Sequence, residues 1–186
     1  MLNGERVLLR PIARQDLPEI WRLLEDLEVA VRSDAGPIHP VSLARYEARF
    51  DREAADPSKD EAWFVIEVDG RAIGQGGLYR IDHFNRRCEL GIALGRVHWG
   101  KGFGQDAVRT LVGYAFEYLS MNRVSLQVLA EDPRAVGAYR KAGFVEEGRL
   151  RQQGWVRGRF HDELLMSILR DEWESTGESH PEPAGN

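Results

Sequence analysis

A chain of 186 residues, 42% hydrophobic and 30% charged, holds enough apolar material for one sizeable core and is too short to require a second domain. Its formal charge of −5 sits at the C-terminal end, because five acids and no Lys or Arg follow Arg170, leaving 25 basic and 25 acidic side chains over residues 1–170. That neutral body argues against a nucleic-acid stripe or a basic membrane-facing helix, and no apolar run approaches the roughly 20 residues of a membrane span.

The N-terminus enters an apolar run without the basic, apolar and small-residue segments of a secretory leader, so a cytoplasmic address is expected. Residues 7–12 read as the opening strand, and Asp16 as the N-cap of a helix with Leu17, Ile20, Trp21, Leu24 and Leu27 on one face. The Gly/Pro-punctuated segment from Asp34 to Pro40 predicts a loop, residues 41–52 a second helix, and Asp56-Pro57-Ser58 another loop. Residues 63–68 and 72–79 flank Asp69-Gly70 and give the strongest hairpin signal of the chain. Residues 88–94 extend that meander, with the single cysteine, Cys88, expected as a small buried hydrophobe rather than a nucleophile.

Residues 102–119 place Phe103, Ala107, Val108, Leu111, Val112, Ala115, Phe116 and Leu119 at helical spacing, and residues 124–129 return as a strand, completing a βαβ crossover. Asp132 and Pro133 supply the N-cap and first-turn proline of a helix through Ala142, stopped by Gly143. Residues 144–153 and 160–169 are the closing strands. The expectation is one α/β domain over residues 1–174, a mixed, mostly antiparallel sheet of about seven strands with helices on both faces. Residues 175–186, rich in Gly, Pro, Ser and Glu, read as a disordered acidic tail. The histidines show no ligand spacing, so no metal site is expected; His98, just before Trp99, reads as a surface loop residue, with a phosphate contact as the alternative.

The chemistry concentrates in Trp99-Gly100-Lys101-Gly102-Phe103-Gly104, at the junction of strand and helix. Glycines at alternate positions let backbone N–H groups turn inward, and the first helical turn and its dipole favour a phosphate there, with Lys101 as an added cation. A Walker loop is excluded, since no G-x-x-x-x-G-K-[ST] spacing exists. A nicotinamide-dinucleotide site is allowed by Gly102-Phe103-Gly104-Gln105-Asp106-Ala107, with Glu131 after the next strand. The antiparallel hairpin before the motif weighs against it.

Three stretches together resemble the GCN5-related N-acetyltransferase (GNAT) family, in particular its group of ribosomal-protein N-terminal and polyamine acetyltransferases. They are Glu89-Leu90-Gly91-Ile92-Ala93-Leu94, the glycine stretch 99–104, and Ala138-Tyr139-Arg140-Lys141-Ala142-Gly143-Phe144, and the likeness extends over residues 5–170. The resemblance implies a GNAT fold and transfer of an acetyl group from acetyl-CoA to a primary amine by direct attack in a ternary complex, without a metal. It implies that Trp99, Gly100, Lys101, Gly102, Phe103 and Gly104 cradle the coenzyme A pyrophosphate while Ile92, Ala93 and Leu94 pair with the pantetheine arm. Where the family often has an Asn contacting the cofactor, this chain has Asp132, for which a plain N-cap role stands as the alternative.

An amine with a pKa near 10 must lose a proton before attack. Glu89 is the candidate base and Tyr139 matches the family's frequent proton donor. Trp155 and Asp162 resemble positions near the acceptor pocket, Asp162 either holding a cationic amine or stabilising a turn. The acceptor is open between a protein N-terminus, a polyamine and an aminoglycoside-type molecule; a homodimer is allowed, and no nucleic acid or membrane partner is expected. The competing readings are a catalytically silent acyl-CoA-binding module and the dinucleotide binder.

Overall fold

A computed structural model describes residues 1–33 and 39–175, so positions 34–38 of the expected loop and 176–186 of the expected tail lie outside the described residues. The strands are β1 (Leu2–Asn3), β2 (Leu8–Pro11), β3 (Ala62–Val68), β4 (Arg71–Asp82), β5 (Arg87–Leu94), β6 (Arg123–Leu129), β7 (Val145–Val156) and β8 (Arg159–Leu169). They form one sheet in the order β1-β2-β3-β4-β5-β6-β8-β7, with every neighbouring pair antiparallel except β5 and β6. The sheet therefore has eight strands rather than about seven. The added one, β1, pairs Leu2 with Leu9 and Asn3 with Leu8, and two residues are too few for alternation to announce a strand.

The helices are α1 (Leu17–Leu24), α2 (Leu27–Ser33), α3 (Leu43–Ala55), α4 (Phe103–Glu117), α5 (Pro133–Lys141) and α6 (Arg170–Ser175). Where one helix was expected through Leu27, the chain breaks. The Asp26 carboxylate accepts the Glu28 N–H at 2.9 Å and its carbonyl accepts from Val29 and Ala30, so α2 starts afresh while the apolar spacing runs on. Asp16 precedes α1 but does not cap it. Its carboxylate turns back to the Ala13 N–H at 2.8 Å and to Arg10 at 2.7 Å, and the Arg10 contact, working against burial, holds its pKa below the ordinary carboxylate range. The second expected helix runs from Leu43, with the Ser42 hydroxyl accepting the Arg45 N–H. The residue expected to begin the tail, Ser175, closes α6, whose Trp173 packs on Phe116 with ring centroids 5.4 Å apart.

Strand alternation sorts the two faces. Leu78 and Leu90 are cross-strand partners on the face covered by α4, which buries Ala107, Val108, Leu111, Val112, Ala115 and Phe116 among Cys88, Val124, Leu126 and Met166. Tyr79 and Glu89, the next pair, point the other way, where α1 lies over β4 with α3 beside it and the Tyr46 hydroxyl of α3 reaches Gln75. Each fully buried Leu or Phe on α4 stabilises by about 1.5–3 kcal/mol. Its flank thus fixes the helix, and its first turn is left free to meet a ligand.

Candidate active site

The parallel ladder of β5 and β6 covers only Arg87↔Arg123, Cys88↔Val124 and Glu89↔Ser125. Beyond Glu89, β5 stays with β4 as far as Leu94, while β6 follows β8 as far as Leu129. The strands splay, and the gap opens into a cleft of about 640 Å³. Ile92, Ala93 and Leu94 line one side of it, Gln127, Val128 and Leu129 the other, with Gly100, Lys101, Gly102, Gly104 and Tyr139 around them. Among the described residues no strand pairs with the β6-facing edge of Ile92 to Leu94, so backbone donors and acceptors there face the cleft.

The glycine stretch takes the shape its composition requires. Gly100 and Gly102 have φ of +71° and +85°, and Gly102 is the N-cap of α4. The first helical bond runs from the Asp106 N–H to the Gly102 carbonyl, leaving the N–H groups ahead of it for a ligand. Gly104 serves packing, since a Cβ there would come within 3.3 Å of Leu94 Cδ1. The Trp99 indole N–H closes the loop on the Leu94 carbonyl at 2.7 Å. Phe103 does not line the cleft; its ring lies under the Arg6 guanidinium at 5.2 Å.

Asp132 caps α5, accepting the Ala135 N–H at 3.0 Å, and also meets Arg134 at 3.1 Å and Arg32 at 3.2 Å. Burial alone would raise its pKa; the N–H bond and the two guanidinium groups outweigh that, so the carboxylate stays charged. Tyr139, on α5, keeps part of its surface open to the cleft. Burial of its hydroxyl first, then Asp132 and Tyr79, raise its pKa against the opposing Arg134, and it is protonated at neutral pH. Phe144 N–H closes α5 on the Tyr139 carbonyl at 3.0 Å past Gly143 at φ +93°, as the Gly143 stop predicted.

The other expected site residues lie apart. Glu89 does not line the cleft: it lies earlier on β5, on the strand face that also carries Gly91 and the cleft-lining Ala93, bonded to Arg80 at 3.0 Å. Trp155 is 61% exposed at the far end of the β7–β8 hairpin, edge-on to Phe160 with centroids 4.6 Å apart. The Asp162 carboxylate is taken up by the Gln152 N–H at 2.9 Å and by Arg149 at 3.1 Å, steadying the bulge where Gln152 has φ +55°. The Gln152 bond first, then Arg149, lower its pKa. Cys88 is buried and its thiol is pushed up to about 12 by that burial, with Glu89 adding, which suits the packing role expected of it.

Beyond Lys101, sequence reasoning missed the groups that make the cleft electropositive. Arg6, Arg32, Arg134 and Lys141 line it together with Lys101, against one carboxylate among the described residues, Asp132. Arg134 stacks 3.6 Å from the Trp99 ring centroid, and Arg6 donates to the Lys101 carbonyl at 2.6 Å. His98, expected at the surface, also lines the cleft; burial and then Lys101 lower its pKa despite Glu19, so it adds a hydrogen-bonding ring without charge at neutral pH. Behind them stands Asp106 on α4. Its carboxylate accepts the N–H groups of Glu5 at 3.1 Å, Arg6 at 2.7 Å and Val7 at 2.9 Å, which fixes where Arg6 can reach. A buried acid in the first turn of a helix was the one signal in the sequence. Beside Leu129, Glu163 is only 6% exposed and its Oε2 has no hydrogen-bond partner among the described residues; burial raises its pKa.

A family model described as an acetyltransferase (GNAT) domain matches residues 6–145. The chain is 34% identical over 176 residues to spermidine N(1)-acetyltransferase of Vibrio cholerae serotype O1, covering 94% of this chain and 99% of that one. It is 35% identical over 123 residues, 66% of each chain, to the putative ribosomal N-acetyltransferase YdaF of Bacillus subtilis. The crystal structure of the Vibrio cholerae spermidine N-acetyltransferase in complex with CoA and spermine matches with a TM-score of 0.83 at 28% identity, over 92% of this chain and 99% of that one.

Proposed function

The chain belongs to the GNAT acetyltransferase family and is an acetyl-CoA-dependent N-acetyltransferase; from that premise we propose that it acetylates a small polyamine-type primary amine by direct attack in a ternary complex. The observation that carries the acceptor is the end-to-end likeness to a spermidine acetyltransferase, in sequence and in the fold solved with CoA and spermine. The protein N-terminus reading is favoured by YdaF, whose likeness covers two thirds of the chain.

The residues present fit acetyl-CoA. The N–H groups of the first α4 turn, with Lys101, Arg6 and Arg134, would hold its pyrophosphate, and the free backbone edge of Ile92 to Leu94 would orient its amide-bearing arm. Asp132 acts there as the cap that positions Arg134 and Arg32, not as a ligand for phosphate, since its charge is of the wrong sign. When bound, acetyl-CoA supplies the thioester carbonyl that the amine attacks. Glu89 takes the ammonium proton, directly or through water, once it parts from Arg80. Tyr139, held protonated by burial, donates a hydrogen bond to the sulfur as negative charge develops on it.

The deciding measurement is thiol release from acetyl-CoA across spermidine, spermine, an aminoglycoside and a ribosomal-protein N-terminal peptide. The highest kcat/KM is expected for a polyamine. Turnover with the peptide alone would move the acceptor to protein N-termini.

A further inference from the structure

Successive residues of a strand face opposite sides of a sheet, so only one of Tyr79 and Arg80 should meet Glu89. Tyr79 is its direct cross-strand partner. Arg80 reaches it as well, because the β4–β5 register shifts between Tyr79 and Asp82 and Arg80 adopts a left-handed φ of +50°. One guanidinium nitrogen then lies 3.0 and 3.2 Å from the two Glu89 oxygens, and the group sits 5.9 Å from the Tyr79 ring centroid. A bulge is the means by which a strand re-aims a side chain. Stability does not account for it: the Arg80 side chain is 72% exposed, an ion pair so exposed returns little, and a left-handed non-glycine residue carries a cost of its own.

The floor around this ion pair is cleared for aromatic rings. Gly77 and Gly91 are cross-strand partners on the Glu89 face. A Cβ on Gly77 would come within 2.8 Å of the Trp63 ring, and one on Gly91 within 3.2 Å of Tyr79 and 3.4 Å of Trp63. Over the bare backbone the Trp63 and Tyr79 rings lie 7° from parallel with centroids 6.0 Å apart, and both stay partly exposed. Trp63 is fixed by its indole N–H on Glu61 at 2.9 Å. Both rings lie against Gly91, next along β5 to the cleft-lining Ile92, so the aromatic pair reaches from the strand carboxylate toward the cleft.

Resting on the amine-acetyltransferase reading above, we propose that Trp63, Tyr79 and Glu89 form the subsite for the acceptor's protonated primary amine, and that Arg80 is a built-in cation occupying it until the amine displaces it. A carboxylate beside aromatic faces recognises an alkylammonium by charge and by cation–π attraction. Exchanging one cation for another keeps Glu89 compensated. An uncharged acceptor cannot make that exchange, so the subsite selects protonated aliphatic amines.

The probes are 1,4-diaminobutane and methylguanidinium, titrated calorimetrically into CoA-saturated protein. Arg80→Asn keeps the left-handed bulge, since Asn tolerates that conformation. It should bind the diamine about 3–10-fold more tightly than the parent. Arg80→Lys should bind like the parent, and Trp63→Ala several-fold more weakly. Methylguanidinium should compete with the diamine in Arg80→Asn and scarcely at all in the parent. Unchanged or weaker diamine binding by Arg80→Asn, or guanidinium that does not compete there, overturns the subsite. Thiol release by the parent, measured alongside, separates the two levels: intact release with an unmoved diamine affinity sinks the subsite alone, and no release with any amine sinks the reading beneath it.

Discussion

The two sides of the β5–β6 wedge are built from different materials. The cleft side is made largely of backbone: glycines at positive φ, the first turn of α4 and an unpaired strand edge, held in register by Asp106 and Trp99. The face carrying Glu89 is made of side chains drawn from separate strands, with Trp63, Tyr79 and Arg80 meeting over two bare glycines. Backbone chemistry suits a donor that never changes. Side-chain chemistry suits an acceptor that differs from one enzyme to the next.

The largest expected effect tests whether the cleft side depends on its buried acid. Asp106→Ala orphans three backbone N–H groups and should cost roughly 3 kcal/mol in urea unfolding. Asp162→Ala, whose carboxylate is exposed on the β7–β8 hairpin, should barely move the transition. Equal losses would erase the contrast between the two regions. Next comes Tyr139→Phe, which should lower kcat by about 10²-fold, about 2.7 kcal/mol of barrier, while acetyl-CoA affinity stays within about twofold. An unchanged kcat removes Tyr139 from the chemistry.

Glycine substitutions sharpen the comparison at a smaller scale. In Gly102→Ala the new Cβ meets Arg6 at 2.6 Å and φ is +85°, so acetyl-CoA should bind about tenfold more weakly, about 1.4 kcal/mol, by calorimetry. Gly158→Ala, at φ +79° in the hairpin turn with nothing within 4 Å, should cost about 1 kcal/mol of stability and leave that affinity alone. The smallest effect is a gain. Glu163 has a folded-state pKa raised by burial, so its contribution to stability falls as pH rises through that value. Glu163→Gln should therefore melt higher at pH 8, by about 1 kcal/mol, with the gain shrinking as the pH is lowered. A gain that is constant with pH would point to packing instead.

How much of this was legible in the sequence follows the same division. Gly100, Gly102 and Gly104 announced the loop, and Gly143 and Pro133 the limits of α5, because each answers to a local backbone demand that only a few residue types meet. Asp16 was misassigned, since it fits a cap by type and only its contact with Arg10 decides otherwise. Arg6, Arg32 and Arg134 reach the cleft from three separate segments, and no spacing along the chain links them. The aromatic pair was hidden for the same reason: Trp63 and Tyr79 meet through a β4 register that a strand pattern alone does not set.

The three-pair ladder between β5 and β6 has one more consequence. A sheet ordinarily keeps its unsatisfied edges at its margins, where a neighbouring molecule can add a strand and begin an aggregate. Here an open edge lies in the interior of the sheet, between β5 and β6. The protein shelters it with α5, which follows β6 directly and brings Tyr139 to the opening. The edge that would pair with a substrate's amide-bearing arm is thus kept away from the sheet margins, where a strand of another copy would add.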